Sequence, residues 1–189
     1  MPGWPDVHEP GAPRAFFMAK PPSTVLAALQ EAIPADELEV LGSSLFYPEN
    51  WHQSLSSEKY TSEPGVIEML RRAGARISAT AVTIVFSRLS STGKHRRLQP
   101  GGTPEGFRAL LDAVENALDE RFRSKMRKTP HITISYWSPL RMLPRSIRPV
   151  AWTIDEVLLV EGGGNPYHYK ELDCWRLSPR HEPQLSLPF

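Results

Sequence analysis

Two of the six histidines in this 189-residue chain stand in matching company. "WHQSL" (51–55) and "PHITI" (130–134) both read histidine, any residue, hydroxyl, aliphatic: His52, Ser54 and Leu55, then His131, Thr133 and Ile134. In an extended chain residues i and i+2 project to the same face. Each motif therefore sets an imidazole beside a hydroxyl, with Ile132 and Ile134 of the second motif turned to the other side. Two imidazoles that titrate near neutrality can serve as base and acid in one turnover. Two hydroxyls beside them can donate to the non-bridging oxygens of a phosphate. Facing each other, such pairs suit in-line displacement at phosphorus, with no metal needed if the leaving oxygen is protonated as it departs. Composition matches one histidine to this pattern at roughly one in twenty, so two matches among six are not readily chance.

Other candidates carry less. His8, His95, His168 and His181 lack the pattern and read as ordinary core or surface residues. "TGK" (92–94) lacks the upstream glycine of a phosphate-binding loop and reads as a turn. Gly162–Gly164 fit a hairpin loop. Neither motif histidine has a second ligand at helical spacing and Cys174 is the lone cysteine, which leaves no metal set and no internal disulfide. Tyr136, Trp137 and Tyr169 could stack a base, or fill the core.

The elements that would position the motifs follow from patterning. Strands are expected at "RAFFMAK" (14–20), "RISATAVTIVFSRL" (76–89), "TPHITISYW" (129–137), "AWTIDEVLLV" (151–160) and "YHYKELDCWRL" (167–177). Helices are expected at 22–33, at 63–75 with Gly74 as C-terminal cap, and from a Thr103–Pro104 cap to Phe122. "SSLFYPENWHQSLS" (43–56) reads as two extended pieces around a turn. "SSTGKHRRLQPGG" (90–102) reads as a polar loop with a short strand at most, at Arg96–Leu98, and "SPLRMLPRSIRPV" (138–150) as a loop. A repeat emerges: strand, helix, histidine strand over Arg14–Ser56, and again over Arg76–Trp137. A strand returning through a helix tends to run parallel to its predecessor, so an α+β domain of two related lobes is expected. Residues 1–13 should be a disordered tail, 14–178 a single bilobal domain and 179–189 a loose tail.

Composition bounds the setting. The chain is 40% hydrophobic and 23% charged, has no apolar run long enough to span a bilayer, and opens without the basic start and apolar core of a secretory signal. A cytoplasmic protein with no membrane partner is the expectation. Net charge is +1, but Arg121–Arg148 holds eight basic residues and no acidic one. The other 14 basic residues face all 21 acidic ones, about −7. A basic segment around His131 suits an anionic ligand or is a solvated surface.

"FFMAKPPSTVLAAL", "PENWHQSL", "PHITI" and "VAWTIDEVLLVEGGGNPYHYKELDCWRL" together resemble the two-histidine (2H) phosphoesterase superfamily, and within it the LigT-like bacterial RNA 2′,3′-cyclic phosphodiesterases, also called 2′-5′ RNA ligases. The likeness covers residues 14 to 178. It implies a bilobal α+β fold, two pseudo-symmetric sheet lobes with outer helices around a central cleft. It also implies hydrolysis of RNA or nucleotide 2′,3′-cyclic phosphates to 2′-phosphates without metal or cofactor, and reversible 2′-5′ ligation. His52 and His131 carry over as catalytic, Ser54 and Thr133 as substrate-binding. Ser54 stands where the family more often has Thr, and the hydroxyl is kept. Ser135, Tyr136 and Trp137 follow the second motif where bacterial members often have Arg or Lys. Arg141 and Arg145 are then candidates to hold the phosphate, and Tyr136 to bind substrate. With His131 as base and His52 as acid toward the 3′-oxygen, the product is a 2′-phosphate; the site's symmetry leaves the reverse assignment open. Competing expectations are 2′-5′ oligonucleotides or a small cyclic phosphate as substrate, or an inactive RNA-end-binding module. A monomer is expected.

Overall fold

The computed structural model describes residues 13–60, 63–123, 129–138, 142–164 and 167–179, apart from the side chains of residues 59 and 60. Nine strands are formed among them: β1 (Arg14–Ala19), β2 (Gln53–Ser54), β3 (Lys59–Tyr60), β4 (Val82–Thr92), β5 (His95–Pro100), β6 (Ile132–Ser135), β7 (Arg145–Ile154), β8 (Glu156–Gly163) and β9 (His168–Arg176). The helices are α1 (Ser23–Ala32), α2 (Ala35–Leu41), α3 (Val66–Gly74) and α4 (Phe107–Ala117).

The strands form two antiparallel sheets. One runs β2-β1-β8-β9, with β3 also on β1; the other runs β6-β5-β4-β7. The histidine motifs thus lie at an edge of each sheet. Their order is the bilobal α+β arrangement the sequence implies, but the repeat begins elsewhere. β1 leads through α1 and α2 to β2, its antiparallel neighbour. The equivalent unit leads from β5, not β4, through α4 to β6, again its antiparallel neighbour. The expected parallel return is absent because each helical excursion brings the chain back beside the strand it left.

Alternation along β1 assigns the faces. Ala15, Phe17 and Ala19 enter a core cluster shared with Ile84, Phe86, Leu98, Ile132, Ile134 and the inner faces of the helices. Phe16 and Met18 point the other way and join Leu158 and Val160 in a small second cluster, with Tyr169 and Cys174 against it. Met18 pairs with Ser54, so Ser54 shares this second face, which is the cleft face.

Several local expectations are corrected. The segment 90–102 is mostly strand, a hairpin turning at Gly93 with φ +61°. Of the loop expected at 138–150, residues 145–150 are instead the start of β7, Pro149 included, because β7 pairs only with β4 and an edge strand tolerates the missing N–H. Asp155 separates β7 from β8 where one strand was expected. Residues 43–50 hold 3-10 turns, and only 53–54 are extended there. The long helix starts at Phe107, behind Gly106 at φ +81°, and not at Thr103. Gly74 is not a cap. Ala75 follows it in right-handed helical geometry, and a Cβ at Gly74 would lie 2.3 Å from the Trp175 ring. The glycine is there to let that indole pack against the helix. The expected tails, 1–13 and 179–189, lie outside the described residues apart from residues 13 and 179.

Candidate active site

The two motif histidines are held in the same way. The Nδ1–H of His52 donates to the carbonyl of Asn50 at 2.8 Å, and the Nδ1–H of His131 donates to the carbonyl of Thr129 at 2.7 Å. A carbonyl only accepts, so each bond places the proton on Nδ1 and makes Nε2 the basic nitrogen. In each motif the bond reaches back two residues. The residues just before each histidine supply it: the 3-10 turn Pro48–Asn50 before His52, and the irregular Thr129–Pro130 before His131. Trp51, fully buried, anchors the first turn and donates its Nε1–H to Phe46 O.

The motifs are also joined. Gln53, the unspecified residue of the first motif, is fully buried. Its Oε1 accepts the main-chain N–H of His131 at 2.6 Å, and its Nε2 donates to Ser54 O at 2.9 Å. Its counterpart in the second motif is the apolar Ile132, also fully buried. A polar residue at an inward position was the available signal for this bridge.

Aromatic rings wall the first histidine. His52 lies against Phe16 at 5.6 Å and Tyr169 at 4.9 Å between ring centroids, and Tyr169 touches Tyr167 at 5.4 Å. Burial, with Glu58 adding to it, pushes the Tyr167 hydroxyl up to about 12, and burial raises Tyr169 further still. Both remain neutral phenols. Tyr136 lies across the cleft, packed on Phe46 at 4.7 Å and His95 at 5.0 Å, and burial raises it as well. Glu58 pairs with Arg14 at 2.9 Å and acts electrostatically on all three tyrosines. Burial and Glu156 push the Cys174 thiol up to about 11, which disfavours its thiolate.

Gln53 joins the start of the second motif to the first, and Thr133 lies on the face of β6 opposite to the buried Ile132 and Ile134. The candidate Arg145 is not on the Thr133 face. Arg145 lies in register with Leu89, Leu98 and Ile132, on the core-facing side of the sheet opposite to Thr133, and its Nη1 bonds Asp36. Arg141 lies outside the described residues. Other arginines of the basic segment also have local partners: Arg148 pairs with Glu31, and Arg123 donates to Leu118 O. Positive charge instead reaches the face of Thr133 from its register partner Arg97, which lies within the short strand expected at Arg96–Leu98 but was not among the candidate site residues. Beside it His95, set aside as ordinary, accepts at Nδ1 from Arg97 Nη2 at 3.2 Å, and burial followed by the Arg97 charge lowers its proton affinity. The adjacent Arg96 faces the core, fully buried and bound through two nitrogens to Glu37. Among the described residues no group of three or more His, Cys, Asp or Glu could hold a metal ion, and no helix is long and apolar enough to cross a membrane.

No protein-family model and no curated protein matches the sequence. Solved structures do. TT0787 of Thermus thermophilus superposes with a TM-score of 0.70 at 18% identity, over 89% of this chain and all of that one (100%). A structure described as a phosphoesterase gives 0.69 at 17% identity, over 87% and 98%. Escherichia coli LigT, solved in complex with phosphate, gives 0.63 at 19% identity, over 90% and 99%. Coverage of both chains is nearly complete, so the likeness extends to both lobes. The chain has the bilobal LigT-like fold of the two-histidine phosphoesterases.

Proposed function

We propose that the chain is a metal-independent phosphodiesterase that opens 2′,3′-cyclic phosphates at the ends of RNA or on nucleotides, leaving a 2′-phosphate. The observation that carries this reading is the matched pair of Nδ1 bonds on His52 and His131, each two residues before a cleft-facing hydroxyl. A nucleophilic role would not require two such groups; general acid–base catalysis does. Neutral His131 takes a proton at Nε2 from water as the water oxygen bonds to phosphorus. Protonated His52 gives its Nε2 proton to the 3′-oxygen as the P–O3′ bond breaks. Ser54 and Thr133 donate to the non-bridging oxygens. Solvent exchange returns both rings to their starting states. Ligation uses the same groups with the 5′-hydroxyl of a second RNA in place of water: His131 takes its proton as the 5′-oxygen bonds to phosphorus, His52 protonates the 3′-oxygen as the P–O3′ bond breaks, and a 2′-5′ diester remains. Escherichia coli LigT, which shares the fold, was solved in complex with phosphate, and this supports a phosphate-bearing ligand. The neutral tyrosines and Phe16 suit the faces of a nucleobase.

The test is turnover of an oligoribonucleotide ending in a 2′,3′-cyclic phosphate, with a chelator present. A 2′-phosphate product at an undiminished rate is expected. Loss of activity that a divalent metal restores would contradict the mechanism, and turnover confined to 2′-5′ oligonucleotides or to a small cyclic phosphate would move the substrate.

A further inference from the structure

We infer that Arg97 is the cation that grips the phosphate beside Thr133; this rests on the phosphoesterase reading and assigns its anion-binding residue. Arg97 and Thr133 are register partners on neighbouring antiparallel strands. Side chains so paired share a face, with Cβ atoms about 5 Å apart. The guanidinium is therefore on the cleft face, next to the hydroxyl that the second motif presents.

Its bonding is incomplete in a telling way. Nη2 meets His95 Nδ1 at 3.2 Å and Nη1 meets Thr92 Oγ1 at 3.5 Å. Both partners are uncharged acceptors. Nε is withdrawn from solvent and is the one buried side-chain nitrogen or oxygen without a hydrogen-bond partner among the described residues. The neighbouring Arg96 shows the contrast, with its own Nε and Nη2 both given to Glu37. A half-buried guanidinium facing neutral groups is costly unless an anion completes it. Burial already makes Arg97 hold its proton less firmly than an exposed arginine.

An arginine fork offers two parallel N–H groups to a phosphate, which a lysine ammonium does not. His95 is kept neutral by burial and by Arg97 itself, so it orients the fork without competing as a second cation. The ligand class that fits is a phosphate mono- or diester. The register also accounts for the residues after the second motif: with Arg97 supplied by β5, Tyr136 can be a tyrosine.

The experiment measures binding of inorganic phosphate to the whole protein by calorimetry, and in parallel steady-state turnover of the cyclic-phosphate oligoribonucleotide. Arg97→Met, Arg97→Lys and, as a control for lost surface charge, Arg148→Met are compared with wild type. Arg97→Met is expected to weaken phosphate binding by at least about tenfold, the scale of one charged hydrogen bond, and to raise KM by a similar factor. Arg97→Lys should recover part of the affinity, and Arg148→Met should bind as wild type does. If Arg97→Met does not fold, Arg97→Lys decides, and wild-type affinity in that variant overturns the fork. Wild-type phosphate affinity and KM in folded Arg97→Met, or no phosphate binding by the wild type, overturns the assignment even where turnover stands. Phosphate binding that depends on Arg97 in a protein without turnover would keep the anion site and remove the reaction.

Discussion

Gln53 ties the two histidine motifs together: its side-chain carbonyl accepts the main-chain N–H of His131 at 2.6 Å, while its amide donates to the carbonyl of Ser54 at 2.9 Å. One buried side chain thus fixes the start of the second motif relative to the strand that carries the first. Base and acid must sit on opposite sides of one phosphorus atom, and small misplacements are expensive in rate.

Gln53→Leu should therefore lower both stability and turnover. Leaving the partly buried His131 N–H without this acceptor costs about 1 kcal/mol. Turnover per folded molecule should fall by about tenfold or more, through loss of alignment. Gln53→Glu keeps an acceptor for His131 and loses the donor to Ser54, so it should fall between leucine and wild type. Thermal unfolding and kcat, measured on the same preparations, check both effects. A leucine variant with wild-type kcat would show that the bridge serves the fold alone.

Ser54→Ala and Thr133→Ala should be milder than loss of either histidine. Each removes one hydrogen bond to a phosphate oxygen, worth about tenfold, and leaves proton transfer in place. Thr133→Val keeps the shape and should match Thr133→Ala in kcat/KM. A valine variant with wild-type kcat/KM would remove Thr133 from phosphate binding.

His95 should make stability depend on pH. Burial first, then Arg97, lowers its proton affinity from the ordinary 6.5 in the folded state. The unfolded chain then binds more protons on acidification. This contribution is complete above the unfolded value and is lost as pH falls through the depressed folded value. His95→Gln should flatten the acid side of a plot of melting temperature against pH. An unchanged slope there would assign it to other groups.

The paired histidine motifs were plain in the sequence and the groups that support them were not, for physical reasons. His52, Ser54, His131 and Thr133 were legible because strand alternation is a local rule that converts i, i+2 spacing into a shared face. The β1 strand and α1 were legible from apolar runs bounded by Pro21, Pro22 and Pro34. The place of Arg97 beside Thr133 was not, because "KHRRLQP" showed only a short strand at Arg96–Leu98 with nothing local to set its register. That register comes from pairing with β4 and β6, which also bury Arg96 against Glu37, 59 residues earlier in the chain. Arg145 misled for the related reason that a charge run says nothing about which sheet face it meets. Gly74 looked like a helix cap, since its packing against Trp175 spans about a hundred residues and leaves no local trace.

The central claim is that His52 and His131 act as one acid–base unit, and the direct measurement is turnover of the cyclic-phosphate oligoribonucleotide by His52→Ala, His131→Ala and the double variant, each shown to be folded. Each single replacement should lower kcat by roughly a hundredfold or more, the scale of a general acid or base. The double replacement should cost far less than the product of the two, because groups that act as a unit are not additive. The wild-type rate should trace a bell against pH, with both limbs from the histidine pair. Abolished turnover in folded His131→Ala beside near-wild-type turnover in His52→Ala would contradict the pairing and the two-lobe mechanism with it.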